Sequence, residues 1–207
     1  MGKDDEQTPT IIPSWLGPST LVGPFRPPQS FTLISADHLL SKLRWDIEQL
    51  EAMQWDESLA KVWRQAVSYK AIDCAISIWH LGEWFMQDIM GTEPRRRACA
   101  FLEIEGHDPH RRIPLRELQQ KAVAKCQDLD ICRIITNASK HYGVDRKPRP
   151  DIRTACVIAT ARREGESFRR PFMQLSVFEG EKRRDMRDIL VNCQKFWEQL
   201  WEAARPQ

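Results

Sequence analysis

The stretch Ala71-Ile72-Asp73-Cys74-Ala75-Ile76-Ser77-Ile78-Trp79-His80-Leu81-Gly82-Glu83-Trp84-Phe85-Met86-Gln87-Asp88-Ile89-Met90 decides how this chain folds. It is the longest apolar run in a chain of 207 residues. Asp73, His80, Glu83 and Asp88 interrupt it, which argues against a membrane span. Upstream, Leu59, Val62, Trp63, Ala66 and Val67 continue the same helical period. A helix that is apolar over so broad an arc belongs at the centre of a bundle, with neighbours on several sides. Asp56 is a suitable N-cap for it, and Gly91 with Pro94 marks its end.

The flanking segments supply those neighbours. Leu39, Leu40, Leu43, Ile47 and Leu50 recur at helical spacing behind Ser35, a good N-cap, with Asp37 in the first turn. Residues 91–112 read as a linker of mixed character, with a short helix around Ala98–Leu102. A third long helix is expected from Pro114, through Leu118, Ala122, Cys126, Leu129, Cys132, Ile135 and Ala138, and it must stop by Gly143. Lys147-Pro148-Arg149-Pro150 cannot continue it. Alternation over Cys156–Ala161 and Phe172–Phe178 predicts a β-hairpin at about residues 154–178, turning through Glu164–Ser167. A last helix runs from about Glu181 through Ile189, Leu190, Cys193, Phe196, Trp197 and Trp201.

The fold class expected is therefore mainly α: a four-helix-bundle-like core with a β-hairpin inserted before the last helix. Residues 31–207 form that domain. Residues 1–30 hold Pro9, Pro13, Pro18, Pro24, Pro27 and Pro28 and read as a Pro-rich extended arm. Ile11, Ile12, Trp15, Leu16, Leu21, Val22 and Phe25 are apolar enough for parts of this arm to lie on the bundle.

The net charge of +2 gives no bulk argument for nucleic acid, so any such argument must be local. The start, Met1-Gly2-Lys3-Asp4-Asp5-Glu6, carries no apolar signal core, and a cytoplasmic location is expected. None of the six cysteines forms a C-x-x-C pair, and most sit among apolar neighbours, as buried free thiols do. His107 and His110 flank a proline in a loop and read as solvated, so neither a metal nor another cofactor is expected.

Two polar sets occupy faces that the helical period assigns to core. The first is Asp73, His80, Glu83, Trp84 and Asp88, in which His80 and Glu83 share a face. The second is Arg133, Asn137, Lys140 and His141 near the end of the third helix, with Asn137 and His141 four apart. If the two helices are neighbours, the sets converge. Histidine then moves protons near neutral pH, and the cations hold a phosphate. The plainer alternative is a helix junction satisfied by hydrogen bonds. From residue 140 to 170 there are nine cations and four anions, a local balance of +5 beside the second set.

Thr136-Asn137-Ala138-Ser139-Lys140-His141 resembles the motif of the HEPN superfamily of helical bundles. Active members carry Arg, then Asn, Asp or His, three variable residues, and His. Asn137 and His141 match the second and last positions, and Thr136 stands where the Arg should be. Together with Trp79-His80-Leu81-Gly82-Glu83-Trp84, the motif also resembles small bacterial proteins of unknown function. The resemblance covers roughly residues 35–142. It implies a dimer that binds RNA or a nucleotide, and a metal-independent ribonuclease in which His moves a proton and Arg steadies the phosphate. It makes His141, Asn137 and Arg133 the catalytic candidates, with Arg133 or Lys140 standing in for the missing Arg. Lys140, Arg146, Lys147, Arg149, His80 and Glu83 are the substrate-binding candidates. The alternative is a non-catalytic interaction or dimerisation module working through the tryptophan-rich helices, in a chain with eight tryptophans.

Overall fold

The computed structural model describes residues 33–53, 60–89, 91–140, 151–161 and 170–205. Six helices and one small sheet follow in the order α1 (Ala36–Ala52), α2 (Ala60–Asp88), α3 (Thr92–Leu102), α4 (Leu115–Lys125), α5 (Asp128–Lys140), β1 (Ile152–Ala161), β2 (Arg170–Glu179), β3 (Lys182–Asp185) and α6 (Met186–Ala204). The fold is mainly α, with the sheet inserted before the last helix. The expected N-terminal arm and the hairpin turn at 164–167 lie outside the described residues.

The core is built from α1, α2, α5 and α6. Helix α2 packs on the other three, as its broad apolar arc requires, and α6 also touches α1, α3 and α5. Cys74, Ala75, Ile78, Leu81 and Phe85 of α2 meet Leu39, Leu40, Leu43, Leu129, Cys132, Ile189, Leu190 and Leu200 in one continuous buried cluster. Trp197 and Phe85 pack tilted, 6.3 Å between ring centroids, with Phe196 edge-on to Trp197 at 5.3 Å. Helix α1 runs antiparallel to α2. Ser35 caps it through a bond from the His38 N–H, and the Ala36 N–H donates to Asp88 at the far end of α2. Midway, buried Asp46 accepts from Lys42 and, at 3.0 Å, from Lys70. Helices α1 and α6 are also antiparallel, tied by Arg44–Glu198, Arg187–Glu51 and Arg205–Asp37.

Three elements differ from the sequence expectation. The third long helix is broken at Cys126-Gln127 into α4 and α5. Cys126 leaves the helical region (φ −134°, ψ 90°), and a short turn re-enters helix through Leu129 N–H to Cys126 O at 3.0 Å. The linker at 91–112 contains a helix of eleven residues, α3, starting directly after Gly91. The hairpin gains a third strand, β3, over residues expected to open the last helix. Gly180 (φ 60°) and Glu181 make a two-residue turn, with positive φ at its first position, between Glu179 and its partner Lys182. The sheet order is β1-β2-β3, antiparallel throughout. Asp185 ends β3 and also caps α6, accepting from the Arg187 N–H at 2.9 Å.

The sheet joins the bundle through apolar packing, with Val177 of β2 completely buried in the core, and through one buried carboxylate. Asp128, the first residue of α5, accepts two bonds from the Arg184 guanidinium of β3, at 2.5 and 2.8 Å, and a third from Asn192 of α6 at 3.0 Å. An acid at this position also faces the positive end of the α5 dipole.

Candidate functional site

Helices α2 and α5 are direct neighbours, so the two polar sets come within reach of each other. Their meeting point is Lys140 and His80. Lys140 Nζ lies 2.9 Å from His80 Nε2. The ammonium has only protons to give, so Nε2 is the acceptor and the ring proton sits on Nδ1. Nδ1 faces Glu83 Oε2 at 3.5 Å, one turn further along α2. Glu83, His80 and Lys140 thus form a chain of charge and dipole that orients the ring and positions the ammonium. It is open to water: the His80 side chain is 30% exposed and Glu83 45%. An anion arriving here meets a cation already held in place.

The other candidates are distributed differently. Arg133 is turned along its own helix to Asp130, at 2.8 Å, and is not part of the Lys140 group. Asn137 is half-buried on α5. Asp73 is exposed on α2, and Asp88 is spent on the first turn of α1. His141, Arg146, Lys147 and Arg149 lie outside the described residues. His107 is engaged locally, its Nε2 bonded to the Arg111 carbonyl at 3.1 Å.

Thr136 stands where the resemblance to the HEPN motif would place Arg. It is completely buried, and its hydroxyl has no hydrogen-bond partner among the described residues. The surface here belongs to Ala138, Ser139 and Lys140 instead. This position therefore presents neither charge nor polar group to a substrate. The reason is helical phase: Leu129, Cys132 and Thr136 form one inward row along α5.

Sequence reasoning missed the groove beside this group. A cavity of about 440 Å³ opens between α2, α5 and the sheet, lined mostly by apolar atoms of Ile72, Ile134, Ile135, Ala155 and Leu175, with Ser68 on its wall. The available signal was Ile134 and Ile135 side by side with Ala138, an apolar sector on α5 wider than α2 alone covers. No helix among the described residues is long and apolar enough to cross a membrane. Comparison with protein-family models, with curated proteins and with solved structures returns no match, so the reading of this site rests on its residues.

Proposed function

We propose that this chain is a HEPN-like bundle that binds RNA by its phosphates, and that it holds the strand without cutting it. The carrying observation is the Lys140–His80 contact at 2.9 Å, which fixes a solvent-facing cation at the end of α5, where the chain continues into Arg146, Lys147 and Arg149. Phosphate contacts of this kind supply most sequence-independent affinity and are weakened by salt. The burial of Thr136 supports binding over cleavage, because nothing at the Arg position can steady a transition-state phosphate.

The test is a salt titration of affinity for single-stranded RNA, comparing wild type with Lys140→Ala, Lys147→Ala/Arg149→Ala and His141→Ala. The cation variants should bind more weakly and show a shallower dependence of log K on log salt, by about one unit for each phosphate no longer neutralised. His141→Ala should change little, and a mixed RNA pool should stay intact with either protein. No binding at low salt, or weakening by His141→Ala alone, would overturn the proposal.

A second reading is favoured by a different observation. Trp45, Val62 and Tyr69 on α1 and α2 are 55%, 62% and 62% exposed, and Lys70 lies 5.0 Å over the Trp45 ring. Large exposed apolar side chains mark contact surfaces, and a homodimer through this face is the expected use. Sedimentation of wild type beside Trp45→Ser/Tyr69→Ser decides it: the dimer reading requires dissociation in the variant alone.

A further inference from the structure

The two outer strands of the sheet are built differently. Strand β3 is four residues long, and all four, Lys182-Arg183-Arg184-Asp185, are charged. Short, charged edges keep other strands away. Strand β1 is ten residues long and pairs with β2 one residue to one, from Ile152 against Glu179 to Ala161 against Arg170. That register leaves no bulge to twist the edge aside. From Thr154 to Ala161 the strand holds no charge, no proline and no glycine. Neither charge, proline nor bulge guards it, and among the described residues no further strand lies beside it.

The ladder fixes which backbone groups look outward. The Gly180 N–H donates to the Asp151 carbonyl at 2.8 Å, and these two residues stand opposite each other one step beyond Ile152 and Glu179. Bonded and non-bonded pairs alternate along an antiparallel ladder. The odd-numbered residues of β1 therefore bond to β2. The even-numbered ones, Thr154, Ile158 and Thr160 among them, turn their N–H and C=O groups away from it. Side chains alternate with the same period. Ile152 and Thr154 line the groove over the helices, whereas Arg153 lies on the other face, 5.9 Å over the Phe178 ring. Val157 shares the Arg153 face, four residues further along β1.

The strand itself names its occupant. Thr154-Ala155-Cys156-Val157-Ile158-Ala159-Thr160 reads almost alike from either end, with Cys156 against Ile158 the one mismatch. We propose that β1 pairs antiparallel with β1 of a second copy, about a two-fold axis at Val157, joining the two sheets into one. In this register Val157 faces Val157, Ala155 faces Ala159 and Thr154 faces Thr160 of the second copy. Arg153 falls opposite Ala161, so no charge meets a like charge across the axis. The phase agrees with the ladder. An axis at Val157 sets even-numbered residues against even-numbered residues, and those are the ones whose backbone groups point outward. A slip of one residue would oppose even with odd positions and lose the ladder. The axis stands normal to the sheet, so both bundles lie on one side of it. This interface rests on neither reading of the function given above, and it is distinct from the Trp45 and Tyr69 face.

The experiment is sedimentation of the full chain with charge exchange at Val157, whose side chain stands on the sheet face away from the bundle. Wild type should form dimers as its concentration rises toward about 100 μM, the range of a small interface. Val157→Lys and Val157→Glu each set like charges opposite each other and should weaken association about tenfold, and an equimolar mixture of the two should restore it. Cross-linking reads the register. Facing residues without ladder bonds have Cα atoms about 4.5 Å apart, within disulfide range. Val157→Cys should join two chains through that residue on mild oxidation, as mapped by peptide mass spectrometry. Ala155→Cys, which meets Ala159 instead, should not. Adding Trp45→Ser/Tyr69→Ser to Val157→Cys should leave the cross-link in place. Val157→Cys is close in size to the native residue, so it decides even where a charged variant fails to fold. A wild type still monomeric at about 100 μM would overturn the proposal. So would a charge mixture no tighter than its components, or equal cross-linking from Ala155→Cys. Loss of the cross-link with Trp45→Ser/Tyr69→Ser would overturn it too, and would give the dimer to the helical face.

Discussion

Removing Asp128 should loosen the hold of β3 on the bundle, and the cost can be worked from its surroundings. Asp128 is 7% exposed and holds Arg184 by two bonds and Asn192 by one. Asp128→Ala leaves a guanidinium whose side chain is 21% exposed, with Glu179 at 3.6 Å as its remaining carboxylate neighbour among the described residues. Breaking a fully buried pair by deleting one partner costs about 3–5 kcal/mol. Arg184 keeps some water and a weaker partner, which places the loss at the lower end, about 3 kcal/mol. Losing an acid from the first turn of α5 adds about 0.5 kcal/mol. Arg184→Met keeps the stem packed and leaves Asp128 with Asn192 and the helix dipole, at about 2 kcal/mol. The double variant removes both charges at once and should fall short of the sum by about 1.5–2 kcal/mol. Urea unfolding followed by tryptophan fluorescence measures all four corners, with equal slopes required for the comparison. Additivity within about 0.5 kcal/mol would refute the reasoning, because it would mean the pair stabilises nothing as a pair.

Other changes separate the physical causes further. Thr136→Val keeps shape and removes an unpaired buried hydroxyl, and should stabilise by about 1 kcal/mol in the same urea assay. Thr136→Arg brings the stretch closer to the HEPN motif it resembles but forces a guanidinium into the core; the expected outcome in circular dichroism is unfolding, with no gain of RNA cleavage. Gly82→Ala fills space rather than clashing, since the added Cβ would stand 3.4 Å from the Trp197 ring and 3.6 Å from Leu118. The change should raise stability by up to about 1 kcal/mol through helix propensity, and a fall in the unfolding midpoint would contradict it. Asp88 gives a pH signature. Burial raises its carboxyl above the usual range, although the Ala36 N–H and His38 pull it down. With the folded value raised, the contribution to stability is complete below the unfolded value of about 4 and is lost as pH rises through the folded value. Asp88→Asn cannot lose it, so the stability of the variant relative to wild type should increase between pH 4 and pH 7; a difference that shrinks over that window would contradict the assignment.

The fold was legible where local chemistry sufficed. Ser35 announced α1, the broad apolar arc announced α2 as central, and alternation announced β1 and β2. The break at Cys126-Gln127 was not legible, because no Gly or Pro marks it and the apolar period runs straight through. What supports it is distant in sequence: Asp128 bonded to Arg184 and Asn192. Strand β3 is Lys182-Arg183-Arg184-Asp185, four charges without alternation. It is a strand because the edge of β2 offers a ladder and because Arg183 reaches Ser176 and Gln174 across it, which local propensity does not encode. At the site, two interruptions of apolar faces pointed to each other across sixty residues, and His80 does meet Lys140. The sequence did not show that Arg133 turns to Asp130, since an Asp three residues before an Arg on a helix competes with any ligand.

Asp185 belongs to both β3 and α6, the neighbouring Arg184 is anchored to Asp128, and Val177 of β2 is buried in the core, so the sheet is mounted like a shelf held along β3 and β2. The outer strand, furthest from β3, is β1, whose residues Ile152, Thr154, Ala155 and Cys156 roof the groove above α2 and α5. Deflection of such a shelf grows with distance from its mounting. A guest entering the groove would therefore find a stiff floor and a compliant roof, and would widen its berth by lifting β1 while the helices beneath kept their spacing.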